Sequence, residues 1–252
     1  MIEIRPSKTN RKKPGSLGEL LATIFWAMII AFSIRTVGYE PFNIPSGSMI
    51  PSLLIGDYLF VSKFSYGYSR YSIPFSPPLL PKTRMLFSKP KRGDVIVFKL
   101  PSDTSIDYIK RLIGLPGDEI QIKNGILHIN GKAVERRKVS NFIEEADSGL
   151  KRQIPRYIET LPNGKEYFIL EESDDLFSDN TQVYRVPKNH YFMMGDNRDR
   201  SKDSRFTSVG FIPRENLVGR AEFLFFSING SFWKFWNWQN TIRKNRLFTG
   251  IK

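Results

Sequence analysis

An uninterrupted apolar segment near the N-terminus constrains this chain more than any other feature of its sequence. Residues 17–34 read LGELLATIFWAMIIAFSI, and after Glu19 the run carries no charge. A membrane-spanning helix needs roughly 20 apolar residues. The run reaches that length only if the following residues extend it and Arg35 turns its charge toward the lipid head groups. We therefore predict a single transmembrane helix over residues 17–38.

The flanks of this segment distinguish a permanent anchor from a cleaved leader. A basic start and a short apolar run also fit a secretory signal peptide, but residues 35–42 read RTVGYEPF and contain no A-x-A cleavage site. Residues 1–16 are strongly basic, and basic flanks stay on the cytoplasmic side of a membrane. We predict a basic cytoplasmic tail over residues 1–16, an uncleaved anchor, and an extracytoplasmic domain over residues 39–252.

The remainder of the chain has the pattern of β structure. Residues 94–100 (DVIVFKL) are a continuous apolar run typical of a buried strand, and residues 190–196 (HYFMMGD) indicate another strand that leads into a loop. Two Asn-Gly pairs within residues 119–134 predict a three-stranded meander, because both residues tolerate positive φ. Weaker periodicity indicates a variable, less regular β-rich insertion over about residues 132–185, and five prolines indicate an irregular loop over residues 74–90. The predicted fold class is mostly β and antiparallel, preceded by the single transmembrane helix.

The net charge of +13 is concentrated at the two ends of the chain. Basic ends suit either nucleic acid or an anionic membrane surface, and the apolar segment favours the membrane, so we expect no nucleic-acid partner. The basic C-terminal segment also contains Trp233, Trp236 and Trp238, a residue type that prefers the membrane–water interface. We predict that it contacts membrane lipid, although an edge of the core made of a strand and a helix remains an alternative.

The composition excludes several kinds of functional site. The chain has no cysteine, which removes disulfides, thiol catalysis and cysteine-based metal sites. It has only two histidines, His128 and His190, whose contexts (HIN and NHY) predict structural positions on strands. A Ser-His-Asp triad stays possible in principle, since one histidine suffices. We expect neither a metal nor a cofactor.

Two segments carry residues suited to nucleophilic chemistry. The turn PSGSM places Ser46 and Ser48 around Gly47, and a serine hydroxyl is a weak nucleophile until a base takes its proton. In DYIKRLIGLPGD, Lys110 and Arg111 point to opposite faces of a strand, so we predict that Lys110 turns inward while Arg111 stays in water. Burial lowers the pKa of a lysine, and a neutral amine can act as a general base.

A third polar segment, GDNRDRSKDSR at residues 195–205, follows the predicted strand directly. Taken alone, it is typical of a solvated loop, or of a weak Ca²⁺ loop because of its aspartates. Taken alone, PSGSM is typical of a plain turn and Lys110 of a surface lysine. The significance of these segments therefore depends on their occurring together.

Together and in this order behind an apolar helix, the segments PSGSM, KRGDVIVFKLP, DYIKRLIGLPGD and GDNRDRSKDSR resemble the bacterial type I signal peptidases, also called leader peptidases, which are Ser-Lys serine peptidases. The resemblance covers about residues 40–123 and 187–222. It implies an antiparallel β-rich catalytic domain of the signal-peptidase type. It further implies that Ser48 is the nucleophile, that Lys110 is the general base, and that the oxyanion hole consists of the Ser46 hydroxyl and the Ser48 backbone N–H.

The resemblance also implies supporting and substrate-binding residues. Ser201 matches a serine that orients the lysine, and Asp203 and Arg205 match a pair that braces the site. Family specificity is for small residues at the first and third positions before the cut. The apolar side chains that align with the corresponding shallow pockets are Phe42, Ile44, Pro45, Met49, Leu53 and Ile109.

The implied function is the removal of signal peptides from exported preproteins after small-x-small sequences. The implied location is the inner (plasma) membrane, in a single pass, with the catalytic domain on the outer side and near the translocation machinery. One alternative is a related Ser-Lys processing peptidase with another substrate, such as a self-cleaving repressor, which the membrane helix disfavours. The other is a non-catalytic, membrane-tethered binding protein, which the intact Ser48 and Lys110 disfavour.

Overall fold

The computed structural model describes residues 16–73, 83–145, 150–230 and 238–251. The predictions made for the basic tail before residue 16, for residues 74–82 of the proline-rich loop, and for Trp233 and Trp236 lie outside these residues.

The N-terminal helix α1 (Leu17–Val37) has 21 residues, so it is about 30 Å long, close to the thickness of the hydrocarbon core of a bilayer. Ser16 and Glu19 cap its start: the Glu19 N–H donates to Ser16 Oγ at 3.3 Å, and the Ser16 N–H donates to the Glu19 carboxylate at 3.2 Å. The helix exposes its apolar side chains and is long and apolar enough to cross a membrane. At its end the Arg35 guanidinium binds the Glu40 carboxylate at 2.9 Å.

Short strands make up most of the regular structure after α1. In chain order they are β1 (Tyr39–Asn43), β2 (Asp57–Ser62), β3 (Val95–Leu100), β4 (Asp103–Gly114), β5 (Glu119–Lys123), β6 (Ile126–Ile129), β7 (Lys132–Ala133), β8 (Glu135–Lys138), β9 (Phe142–Glu145), β10 (Lys151–Ile154), β11 (Arg156–Thr160), β12 (Glu166–Leu170), β13 (Tyr184–Arg185), β14 (His190–Met194), β15 (Ile212–Pro213) and β16 (Leu217–Ser227). One more short helix, α2 (Trp238–Thr241), follows them.

These strands form four sheets in which neighbouring strands run antiparallel. The largest has seven strands in the order β1-β2-β16-β3-β4-β14-β15. A four-stranded sheet has the order β13-β5-β6-β7, and two smaller sheets have the orders β12-β11-β8 and β10-β9. The predicted fold class, mostly antiparallel β with one N-terminal apolar helix, is confirmed.

Local sequence explains the strands that the analysis predicted. The apolar run at residues 94–100 becomes β3, which is buried along almost its whole length because β16 and β4 flank it. The predicted meander is β5-β6-β7, and its two turns have positive φ at all four positions: 47° at Asn124, 70° at Gly125, 52° at Asn130 and 76° at Gly131. Asn-Gly pairs adopt this conformation at little energetic cost.

The region predicted as an irregular insertion, residues 132–185, contains the two small sheets and contacts the loop that follows β14 through a buried ion pair. Glu159 on β11 accepts two hydrogen bonds from Arg198, one of them at 2.7 Å, and both side chains are at most 2% exposed. The Tyr167 hydroxyl on β12 donates to the same carboxylate at 2.6 Å. This contact fixes the insertion against the loop that follows β14.

Removing Glu159 is expected to destabilise the protein strongly. Glu159→Ala leaves the Arg198 guanidinium buried without its counter-ion, which typically costs about 3–5 kcal/mol of unfolding free energy. Glu166→Ala, a loss of the same charge at an exposed position on β12, serves as the control and should change stability by less than about 0.5 kcal/mol. Denaturant unfolding measures both values, and equal effects for the two variants would contradict a structural role for the pair.

Candidate active site

The serine turn PSGSM follows β1 and forms a single 3₁₀ turn, Gly47–Met49. Ser48 is 9% exposed, and Met49 is fully buried behind it. Asn197 holds this turn from the opposite side: its backbone N–H donates to the Ser48 carbonyl and its side-chain amide donates to the Gly47 carbonyl, both at 3.1 Å. The backbone of the turn that carries the Ser48 hydroxyl is thereby held in place.

Lys110 on β4 reaches the Ser48 hydroxyl directly. Its Nζ donates to Ser48 Oγ at 2.6 Å and to the carbonyl of Ile109 at 3.0 Å. The side chain is 4% exposed, as the sequence analysis predicted for this lysine. Two residues separated by 62 positions in the sequence are therefore in hydrogen-bond contact.

Burial changes the protonation of this amine. Desolvation lowers the pKa of Lys110 from 10.5 to about 8, because a charged ammonium loses its hydration in the protein interior. The nearby negative charges of Asp203 and Asp196 act in the opposite direction and raise the pKa of Lys110, but by less than desolvation lowers it. A fraction of roughly one tenth is therefore neutral at pH 7.

The prediction that Arg111 stays in water is wrong. Arg111 is fully buried and pairs with Asp196 through two hydrogen bonds, at 2.8 and 2.6 Å. It also donates to the carbonyl of Gly93 at 2.9 Å, and its guanidinium lies 4.2 Å from the centroid of the Tyr167 ring. The physical reason is that the C-terminal half of β4 is buried on both faces, so neither face is available to a solvated side chain.

The three bracing residues have different surroundings. Asp203 and Arg205 form a buried pair with hydrogen bonds of 2.9 and 3.0 Å, and the backbone N–H of Gly195 also donates to Asp203. Burial by itself would raise the pKa of Asp203, but the Arg205 charge and these hydrogen bonds outweigh it and hold that pKa below its usual value. Ser201 is 4% exposed, and its hydroxyl interacts with the Asp203 carboxylate, whose pKa it helps to lower, rather than with Lys110.

Ser46 lies beside Ser48 but is more exposed. Its hydroxyl is 3.5 Å from the Ser48 hydroxyl, at the limit of a hydrogen bond. The side chain of Ser46 is exposed to solvent, in contrast to that of Ser48. A group bound at Ser48 would therefore lie next to the Ser46 hydroxyl, which can rotate because it is exposed to solvent.

A cleft of about 670 Å³ opens in front of Ser48 and Lys110. Four of the six predicted substrate-binding residues line it: Phe42, Ile44, Pro45 and Ile109. The other two, Met49 and Leu53, have no exposed surface and do not line the cleft; they belong to the core cluster against which those lining residues pack. They form the support beneath the cleft.

The sequence analysis did not predict several other residues that line the cleft. Val97, Ile106 and Tyr108 contribute apolar wall, while Arg200 and Lys202 contribute positive charge at the rim. Their signal in the sequence is weak, because each is a common residue type in an ordinary strand or loop. Asn197 was also missed, although it lies within the polar segment 195–205.

The two histidines make local contacts. His128 Nδ1 is 2.9 Å from the carbonyl of Ile126, and His190 Nδ1 is 2.9 Å from the carbonyl of Lys188. Both contacts join the ring to a backbone carbonyl two residues away, as structural positions on strands would allow.

Comparisons with known proteins agree on one family. The sequence model of the family described as "Signal peptidase, peptidase S26" matches residues 17–226. The signal peptidase I of Rickettsia typhi is 40% identical over 265 aligned residues, which cover 97% of this chain and 98% of that protein. The signal peptidase I of Rickettsia prowazekii is also 40% identical, over 98% of this chain and 96% of its own.

A solved structure also resembles this chain. The crystal structure of a signal peptidase I from Enterococcus faecalis aligns with 53% of this chain and 97% of that chain, at 27% identity and a TM-score of 0.31. The family assignment depends on the sequence matches, which extend over α1, Ser48, Lys110 and the loop after β14. The resemblance inferred from the four motifs is therefore confirmed, and this chain belongs to the signal peptidase family, peptidase S26.

Proposed function

We propose that this protein is a membrane-bound serine endopeptidase that removes signal peptides from exported preproteins, with Ser48 as nucleophile and Lys110 as general base. Its relatives named signal peptidase I support the substrate class. The observation that carries the assignment of residues is the 2.6 Å contact between Ser48 Oγ and a buried amine whose pKa is lowered to about 8.

Acylation begins with a proton transfer across this contact. A neutral Lys110 amine accepts the Ser48 hydroxyl proton while Oγ attacks the scissile carbonyl and forms a tetrahedral intermediate. When the C–N bond breaks, the Lys110 ammonium returns a proton to the leaving amine of the mature protein. The signal peptide remains attached to Ser48 as an ester.

Lys110 is also the base in deacylation. Lys110 takes a proton from a water that attacks the ester carbonyl, and then returns a proton to Ser48 Oγ as that oxygen leaves. The negative oxygen of each tetrahedral intermediate needs hydrogen-bond donors. We assign this role to the Ser48 backbone N–H and the Ser46 hydroxyl, whose 3.5 Å separation from Ser48 Oγ allows it to reach the same point.

The cleft gives the preference for small residues before the cut. Phe42, Ile44, Pro45 and Ile109 line it together with Ser48, and we attribute the preference for small side chains to these apolar groups. Substrates of this kind are held in a membrane by their own apolar segment. Because β1 begins two residues after α1 ends, a membrane-spanning α1 would keep Ser48 near the bilayer surface, where such a cleavage site emerges.

We propose a single-pass anchor with a cytoplasmic N-terminus and a catalytic domain on the outer face of the inner (plasma) membrane, close to the translocation machinery and in contact with lipid. The length and apolar character of α1 support the anchor. The basic N-terminal segment supports that orientation. Trp238 contributes to a cluster of aromatic rings with Phe226, at 5.3 Å between centroids, which suits either lipid contact or the edge of the core.

Ser48→Ala is expected to abolish processing. The variant lacks the nucleophile, and the small change in a turn should alter stability by less than about 1 kcal/mol. Incubation of purified protein with a preprotein, followed by separation by size, measures the result. Ser102→Ala, at an exposed serine, is the matched control and should cleave normally. Cleavage by Ser48→Ala at the wild-type rate would remove Ser48 from the mechanism.

Ser46 is expected to affect the rate of the chemical step. Loss of one oxyanion donor lowers kcat by about 10²–10³-fold, so Ser46→Ala should fall in this range with KM little changed. Ser46→Thr keeps the hydroxyl and should retain most of the activity. Steady-state kinetics on a peptide substrate distinguishes the two variants, and identical rates for both would show that the hydroxyl donates nothing.

The rate should depend on pH through Lys110. Because only the neutral amine accepts a proton, kcat/KM should be low well below pH 8 and rise through a midpoint at about 8, the lowered pKa of Lys110. Lys110→Arg should be inactive over the whole range, since guanidinium remains charged. Lys123→Arg, on an exposed lysine, is the control. A midpoint near the free-lysine value of about 10.4, or activity in Lys110→Arg, would contradict the assignment.

A further inference from the structure

Three acidic side chains converge at one point outside the cleft. Glu171 directly follows β12, Asp179 lies in the loop between β12 and β13, and Asp199 lies in the 3₁₀ turn Arg198–Arg200 after β14. Carboxylate oxygens of the three residues lie within 4.8 Å of one another. Like charges at such distances repel, so the arrangement needs a compensating positive group.

Hydrogen bonds satisfy part of the capacity of two of these carboxylates. Asp199 Oδ2 accepts from the backbone N–H groups of Glu172 at 2.6 Å and Ser173 at 3.2 Å. Asp179 Oδ2 accepts from the backbone N–H of Leu176 at 2.6 Å, and Asp179 Oδ1 lies 3.5 Å from the Ser178 hydroxyl, at the limit of a hydrogen bond. These bonds leave the remaining oxygen of Asp199 buried and without a hydrogen-bond partner among the described residues.

Glu171 provides an observation that a cluster of acids alone would not. It is 2% exposed, its Oε2 has no hydrogen-bond partner among the residues that the structure describes, and its carboxylate faces the other two. A buried polar atom of this kind carries a large desolvation penalty unless something binds it. The charges of Arg198 and Arg205 favour the charged form of Glu171, but the hydrogen bonds of these two guanidinium groups go to other carboxylates: Arg198 binds Glu159, and Arg205 binds Asp203.

We propose that Glu171, Asp179 and Asp199 bind a divalent cation, and that the cation is Ca²⁺. Ca²⁺ takes oxygen ligands at about 2.3–2.6 Å, so two of its ligands are at most about 5 Å apart, which the observed 4.8 Å limit satisfies. The donor set contains only carboxylate oxygen, which suits Ca²⁺, Mg²⁺ or Mn²⁺ and not Zn²⁺ or Cu²⁺. The flexible geometry of Ca²⁺ favours it over Mg²⁺, because the three ligands come from two separate loops.

The cation would join two parts of the protein. Glu171 and Asp179 belong to the segment between β12 and β13, while Asp199 belongs to the loop after β14 that also carries Ser201 and Asp203. Binding would therefore fix this loop against the insertion and raise thermal stability, without a part in the chemical step. The proposal is independent of the catalytic assignment made above.

Equilibrium dialysis with radioactive ⁴⁵Ca²⁺ tests the proposal on the full chain in detergent after treatment with a chelator. We expect one Ca²⁺ per chain, competition by Mn²⁺ more than by Mg²⁺, and a Tm that rises with Ca²⁺ concentration. Glu171→Gln keeps the shape of the side chain but removes its negative charge. It should weaken Ca²⁺ binding by about tenfold or more, because the number of charged ligands sets the affinity for Ca²⁺. Asp175→Asn is the matched control, since it removes a charge from the same loop at an exposed position, and it should bind as the wild type does.

The absence of saturable binding at one Ca²⁺ per chain would overturn the proposal, whatever the variants do. Equal affinities for Glu171→Gln and Asp175→Asn would also overturn it, because the cation would then bind elsewhere. If Glu171→Gln does not fold, Asp199→Asn replaces it, with the same expected loss of affinity. If the protein binds no Ca²⁺ at these residues, the Glu171 carboxyl is a neutral structural group, because burial raises its pKa to about 9.

Discussion

The geometry of the site depends on the buried ion pair between Arg111 and Asp196. Arg111 follows Lys110 on β4, and Asp196 precedes Asn197, which holds the turn of Ser48 through two hydrogen bonds. This fully buried pair therefore connects the strand that carries Lys110 to the loop that holds the Ser48 turn, where Lys110 Nζ lies 2.6 Å from Ser48 Oγ. Breaking such a pair typically costs about 3–5 kcal/mol, which makes this region rigid.

The same arrangement explains why the lysine loses its proton at moderate pH. Asp196 and Asp203 lie close enough to raise the pKa of Lys110, yet each is already paired with a guanidinium, Asp196 with Arg111 and Asp203 with Arg205. Their net effect on the amine is therefore reduced, and desolvation decides the direction of the shift. The two guanidinium groups offset the charges of the two carboxylates. A buried site with five charged groups can therefore contain a lysine whose pKa is lowered.

Local signals in the sequence predicted the apolar helix and the meander, because each depends on a short-range pattern. The pairing of Ser48 with Lys110 was predicted from the resemblance of separated motifs to a known family, since no local pattern joins residues 62 positions apart. The solvated position assigned to Arg111 was wrong, since alternation along a strand predicts a solvated face only where one face of the sheet is open. Met49 and Leu53 were placed in the cleft because apolar neighbours of a nucleophile look alike whether they line a pocket or support it. The pairing of Glu159 with Arg198 joins residues 39 positions apart, and no local pattern indicates it.

The pKa of Lys110 is the quantity on which the proposed mechanism depends, and NMR titration of ¹⁵N-labelled lysine side chains measures it most directly. Comparison with the Lys110→Arg spectrum assigns the signal and separates it from Lys63 and Lys165, whose pKa values burial also lowers. A resonance that titrates at about pH 8 and is missing from Lys110→Arg is the expected result. A Lys110 signal that titrates near the free value of about 10.4 would contradict a neutral amine as the base.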